Sequence, residues 1–150
     1  MKLPLIFFTI AVLISPSSAD VPEGAREIGD YNGDGVDDYL ILDPERSKAR
    51  NEPYFVFLSN RSTGKHRKLD IEVCNPKWNP KTKTLTSHSF GGGGRTYFNE
   101  TYSLVGSAPR LIMTVQRTEK GVKDAPGTLE FTVTTRKLIN GGWATTLLKE

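Results

Sequence analysis

The stretch Asp30-Tyr31-Asn32-Gly33-Asp34-Gly35-Val36-Asp37-Asp38 places oxygen-bearing side chains at loop positions one, three, five and nine, with a glycine at six. A hard cation such as Ca²⁺ takes about six to eight oxygen ligands, and alternate residues of a tight loop can converge on one point. Gly35 permits the sharp turn where a Cβ would be strained, and Val36 offers its backbone carbonyl. Asp30, Asn32, Asp34, Val36 and Asp38 are therefore the candidate ligands of a structural Ca²⁺. Position twelve, where an EF-hand carries its bidentate glutamate, is Ile41, so the EF-hand ending is missing. The competing reading is an Asn/Asp/Gly-rich hairpin turn without an ion. Asp30, Asp34, Asp37 and Asp38 would then repel one another with nothing to offset them, so calcium is expected.

A second unusual stretch is Phe90-Gly91-Gly92-Gly93-Gly94-Arg95-Thr96-Tyr97. Consecutive glycines carry a large conformational-entropy cost on folding. They suit a flexible hairpin connection, or a protruding loop that presents Arg95 and Tyr97 to a partner; composition leaves both open. A guanidinium forms bidentate, charge-assisted pairs with carboxylates. A tyrosine combines a large rigid ring with a polar end, which suits an interface anchor.

Catalytic constellations are not evident. His66 and His88, the two histidines, lack metal-ligand spacing to other ligands, which argues against zinc. No serine stands in a nucleophile elbow. Glu72 and Glu100 have the chemistry of a glycosidase pair, but isolated strand glutamates are commonplace. Trp78 and Trp143 could stack on sugars, and packing roles are the commoner fate of such residues. The expectation is a protein that is not an enzyme.

The elements that must position these residues read as strands. Residues 1–19 have the form of a secretory signal: Lys2, an apolar core from Leu3 to Ile14, and small residues at Ser17-Ser18-Ala19. That core is shorter than the roughly 20 residues that span a bilayer, so no permanent membrane anchor is expected. Residues 20–150 are then a single domain with a periplasmic or secreted location. Of the 20 Lys and Arg, Lys2 lies in the signal, leaving 19 against 17 Asp and Glu, a formal +2. The basic residues are dispersed, which does not suit nucleic acid. The single cysteine, Cys74, excludes an intrachain disulfide framework and reads as a small buried residue.

Short β-prone runs alternate with Gly/Pro/Asn/Asp clusters, which predicts an antiparallel all-β meander. Strands are expected at about 25–29, 38–43, 53–59, 66–73, 83–89, 95–104, 110–117, 128–138 and 143–148. Turn signals fall at Arg61–Gly64, Asn79–Thr82, Gly106–Pro109, Asp124–Gly127 and Asn140–Gly142.

The calcium-type loop feeding the strand Tyr39-Leu40-Ile41-Leu42 resembles the calcium loops of integrin-type β-propeller repeats. The wider order of motifs covers about 25–138: this loop, a hairpin at Ser59–Gly64, Asn79-Pro80-Lys81-Thr82-Lys83-Thr84-Leu85, a Gly-rich loop, then Arg95-Thr96-Tyr97-Phe98-Asn99-Glu100-Thr101-Tyr102. It resembles a half β-propeller family, the periplasmic inhibitors of invertebrate-type lysozyme and related immunity proteins against secreted peptidoglycan hydrolases. The resemblance implies a periplasmic protein partner, a lysozyme-like peptidoglycan-degrading glycoside hydrolase, whose active-site cleft is blocked by a loop of the type S-G-x-x-Y. Gly93, Gly94, Arg95 and Tyr97 are the corresponding target-binding residues here. Gly94 and Tyr97 match the motif; Gly93 stands where the serine would be. The alternative from another class is a calcium-dependent carbohydrate-binding or adhesion module built on Trp78 or Trp143.

Overall fold

The computed structural model describes residues 21–48, 50–106, 108–121 and 129–149. The expected signal segment, and the turn expected at Asp124–Gly127, lie outside the described residues. Among the described residues all regular elements but one short 3-10 turn are strands, and every pairing is antiparallel. The first sheet is a four-stranded meander of β1 (Arg26–Gly29), β2 (Asp38–Leu42), β3 (Pro53–Asn60) and β4 (Lys65–Cys74), in that order. The second is a six-stranded meander of β5 (Lys77–Asn79), β6 (Thr84–Gly91), β7 (Thr96–Ser103), β8 (Arg110–Gly121), β9 (Leu129–Ile139) and β10 (Gly142–Lys149). The fold is all-β and antiparallel, two open sheets rather than a closed barrel. Among the described residues no helix is long and apolar enough to cross a membrane.

Local chemistry explains the joints. Asn140 and Gly141 both have positive φ, 49° and 81°, which a two-residue type I′ hairpin requires, and β9 and β10 pair across them without a register shift. Asn60 opens the β3–β4 turn: its Oδ1 accepts from the amides of Ser62 and Thr63. The β5 strand, absent from the sequence reading, has three residues, too few for a period-two pattern to show.

The core lies between the sheets, near their junction. Leu40, Val56, Leu58, Leu69 and Val73 of the first sheet meet Leu85 of β6, Leu104 and the fully buried Tyr31. Trp78 packs on this cluster, its ring 4.5 Å from that of Tyr31, so it serves the interior and is withdrawn as a sugar-stacking platform. At the sheet junction the Cys74 amide donates to Ser87 Oγ at 3.0 Å. Cys74 itself is free but only half-buried, at the end of β4; the expectation of a buried thiol fails because strand alternation puts Cys74 on the face of Asp70 and Glu72, opposite the buried Leu69 and Val73. Burial, with Glu72 nearby, pushes its thiol pKa above the ordinary value. Beyond β8 the second sheet outgrows its core, and every residue of β10 is exposed.

Candidate functional site

Two places gather the residues singled out above. The first is the loop 30–38. Asp30 Oδ1 accepts from the Gly33 amide at 2.6 Å and Oδ2 from the Gly35 amide at 3.3 Å. Asn32 Oδ1 accepts from the Asp34 amide (2.8 Å), and Asp34 Oδ1 from the Val36 amide (2.9 Å). Each polar side chain therefore folds back on the backbone ahead of it, and these turns shape the loop. Gly33 and Gly35, at φ 84° and 83°, supply the left-handed steps. Asp34 is tied outward as well, accepting from the Arg61 amide and the Ser59 hydroxyl, both at 3.0 Å. Partial burial works to raise the Asp34 carboxyl, but the hydrogen bonds from Val36, Arg61 and Ser59 hold it below the ordinary value.

Asp38 differs from the others. It is fully buried, and its carboxylate accepts three backbone amides: Tyr31 (2.6 Å), Asn32 (3.1 Å) and Ser59 (2.6 Å). Burial outweighs those bonds and raises its pKa. It clamps the start of the loop to the end of β3. Among the described residues no three His, Cys, Asp or Glu side chains converge as a metal-holding group. Any ion here would therefore need mixed donors, Asn32 and the Val36 carbonyl together with the carboxylates, which is the oxygen chemistry that suits Ca²⁺. Protein cations already stand close: a Cβ on Gly33 would lie 2.8 Å from Lys83 Nζ, and one on Gly35 would lie 3.7 Å from an Arg61 guanidinium nitrogen. Part of the loop's negative charge is thus offset by the protein itself, which the sequence argument from repulsion did not include.

The second place is the β6–β7 hairpin end. The four glycines are not slack. Gly92–Gly94 form a 3-10 turn, with Gly92, Gly93 and Gly94 at φ 56°, 68° and 91°, conformations that L side chains rarely adopt. A Cβ on Gly94 would also sit 2.6 Å from Arg50 Nη1, so the Arg50 side chain would have to move aside. The turn is fastened behind by the Glu119 amide donating to the Arg95 carbonyl at 2.9 Å.

Strand register assembles what surrounds it. Phe90 lies opposite Tyr97, and Tyr97 opposite Arg117. Phe131 faces Glu119, one diagonal step away, and the Arg117 guanidinium lies 3.8 Å from the Phe131 ring centroid. The Tyr97 ring packs at 5.4 Å from Phe90 and 6.1 Å from His88. His88 Nδ1 reaches both the Tyr97 hydroxyl (2.9 Å) and the Asn99 carboxamide oxygen, which orients the phenol. Phe90, Gly94, Arg95, Tyr97, Arg117, Glu119 and Phe131 line one cleft; Arg50, Asn75, His88, Phe90 and Tyr97 line its neighbour, which shares Phe90 and Tyr97. Arg50 comes from the β2–β3 connection. β5 ends before Phe90, leaving that strand edge bare, and the Asn51 side chain pairs with it: its Nδ2 donates to the Phe90 carbonyl (3.0 Å) and its Oδ1 accepts the Phe90 amide (2.9 Å). Asn75 does the same lower down, donating to the carbonyls of His88 and Arg50.

The structure thus brings Gly94, Arg95 and Tyr97 together, with Gly93 exposed at the tip. It adds Arg50, His88, Phe90, Arg117 and Phe131, which the sequence reading did not assign. Arg117 and Phe90 were within reach of a register argument, being directly across from Tyr97. Arg50 was not, because its place depends on a connection held by Asn51.

No family model matches the chain, and no curated protein matches it. A solved structure does: a Xanthomonas protein described as related to a Type IV secretion system, with a TM-score of 0.50 at 18% identity. The likeness is one of fold. It covers 79% of this chain and 56% of that one, so this chain spans about half the length of the protein it matches.

Proposed function

We propose that this protein is a periplasmic, immunity-type inhibitor of a peptidoglycan-degrading glycoside hydrolase, not itself an enzyme, and that it acts by occluding the target's active-site cleft with the β6–β7 hairpin end. The observation that carries this is the convergence of Arg95 with Arg50, Arg117 and the Tyr97, Phe90 and Phe131 rings around one left-handed glycine turn. Glycoside hydrolases of the usual kind work with two carboxyl groups flanking the scissile bond. A guanidinium entering that cleft meets the partner it pairs with best, and the flanking rings exclude water around the pair. Pairing is necessary, because either charge buried alone would be strongly unfavourable. The fold likeness to a secretion-system-related protein accords with a cell-envelope setting.

Ca²⁺ would be held by Asp30, Asn32, Asp34, the Val36 carbonyl and Asp38, and the carboxylates, which do not converge as they stand, would have to close around the ion. It would brace the first sheet at the loop, away from the arginine cleft.

The test is capture of purified hydrolases of several types, lysozymes and secretion-system effectors among them, on immobilised protein, followed by turnover of a cell-wall substrate. Stoichiometric capture with loss of turnover supports the inhibitor. Retention of the protein on peptidoglycan without any captured hydrolase would favour the carbohydrate-binding alternative.

A further inference from the structure

The two sheets end in strands of very different character. β1 has four residues with a register shift and β5 has three, both too short to template another chain, while the ten-residue edge β4 pairs with β3 through a register shift and carries Lys65, Arg67, Lys68, Asp70 and Glu72. β10 has eight residues, pairs with β9 without a bulge, contains no proline, and is exposed throughout. Trp143, Leu147 and Leu148 are 40%, 59% and 55% exposed. Lys149, at the strand's end, is the one charged side chain between Gly142 and Lys149. Proteins usually blunt such an edge with charge, proline, bulges or brevity, because a long apolar edge recruits another strand; this one carries none of those devices along its length.

The pattern along the edge indicates which strand fits. The two-residue turn closes on the Ile139–Gly142 pair, and in an antiparallel ladder the outward amides and carbonyls then belong to alternate residues. Those are Trp143, Thr145 and Leu147. We infer that β10 is a self-complementary docking edge, on which a second copy of this chain pairs antiparallel about a two-fold axis at Thr145. In that register Trp143 lies opposite the second copy's Leu147, and Thr145 opposite its own equivalent. On the other face Leu148 lies over Gly142, and Ala144 over Thr146, so bulky residues meet small or apolar ones throughout. An aromatic–aliphatic cross-strand pair is a stabilising one, and it occurs twice by symmetry. Lys149 falls opposite Gly141, so no like charges meet, and Arg136, 5.2 Å from the Trp143 ring centroid, covers the indole from β9. A charged peptide partner would find nothing along this edge to pair with. An edge contact buries less than the about 1,200–2,000 Å² of stable interfaces, so the dimer is a weak one.

The inference stands apart from the inhibitor reading. The β6–β7 turn lies at the Lys149 end of the sheet, so two-fold pairing sends the two arginine clefts to opposite ends and leaves both accessible.

Sedimentation equilibrium over a range of protein concentrations should show a monomer–dimer equilibrium that Leu147→Lys abolishes. That variant places a cation opposite Trp143, whose ring already carries Arg136, and its exposed site leaves the melting temperature unchanged. Register is read by cross-linking in a Cys74→Ser background. Thr145→Cys should oxidise to a covalent dimer, since facing Cα atoms in a ladder are about 5.5 Å apart, within disulfide reach. Thr146→Cys, displaced two residues from its own copy, should not. A protein monomeric at all concentrations overturns the inference, whatever else occupies the edge. So does equal cross-linking of the two cysteine variants.

Discussion

Asp38→Asn replaces a carboxylate by a group of the same shape and offers a quantitative test of the loop. Asp38 is fully buried and accepts amides from Tyr31, Asn32 and Ser59. The carboxamide keeps one oxygen, which would turn to the neighbouring Tyr31 and Asn32 amides. Its NH₂ would then face the Ser59 amide, donor against donor. One buried donor left unsatisfied costs about 1–3 kcal/mol; the two remaining bonds fall to neutral strength, but removing a buried charge offsets that loss, since burial already outweighs the bonds to the carboxylate. A total of about 1–3 kcal/mol is expected, a sizeable part of the 5–15 kcal/mol of a typical domain. That corresponds to a fall in melting temperature of roughly 3–12 °C for a domain of this size. Asp30→Asn is the control: it keeps an oxygen for the Gly33 or Gly35 amide at an open site and should cost under about 1 kcal/mol. Urea denaturation followed by circular dichroism, in chelator so that no ion contributes, separates the two. A loss below about 0.5 kcal/mol for Asp38→Asn would refute the assignment of Asp38 as the buried clamp.

Millimolar Ca²⁺ should raise the melting temperature of stripped protein, as expected for a site in the roughly 10⁻⁴–10⁻³ M range; Asp30→Ala should remove the effect, and Lys83→Met, which removes an ammonium beside Gly33, should tighten the titration. Gly94→Ala should weaken inhibition and cost about 1–2 kcal/mol by denaturation, because the position has φ 91° and its Cβ would displace Arg50. Cys74 should react slowly with a bulky maleimide at pH 8 and faster as the pH rises past the ordinary thiol value, because its raised pKa keeps the thiolate scarce below that point; rapid labelling at pH 7 would count against it.

The strands were legible because their apolar residues alternate and their turns carry Asn, Gly and Pro: β2, β3 and β7 stand within about two residues of the expected bounds. β8 was read short by four residues at its end, since Thr118-Glu119-Lys120 is polar on both faces and gives no alternation. The loop 30–38 was legible as a chain of side-chain-to-backbone turns. What the sequence concealed is the difference between Asp38 and its neighbours, because burial under Ser59 is a long-range fact. The glycine run signalled an unusual conformation but not which one; three left-handed residues in succession explain its composition better than mobility does. Arg50 was out of reach of any local pattern, because two asparagine side chains fix its segment to β6.

The central claim is that the arginine–tyrosine turn is the inhibitory surface, and titration calorimetry with a captured peptidoglycan hydrolase tests it most directly. The Arg95 side chain is exposed. Arg95→Ala should therefore keep the wild-type melting temperature while losing at least about 2 kcal/mol of binding, some thirtyfold in dissociation constant. Tyr97→Ala should lose a comparable amount, and Tyr97→Phe, which keeps the ring against Phe90 and His88, should lose less. Wild-type affinity and inhibition in a folded Arg95→Ala and Tyr97→Ala would contradict the account and move the contact surface away from the β6–β7 end.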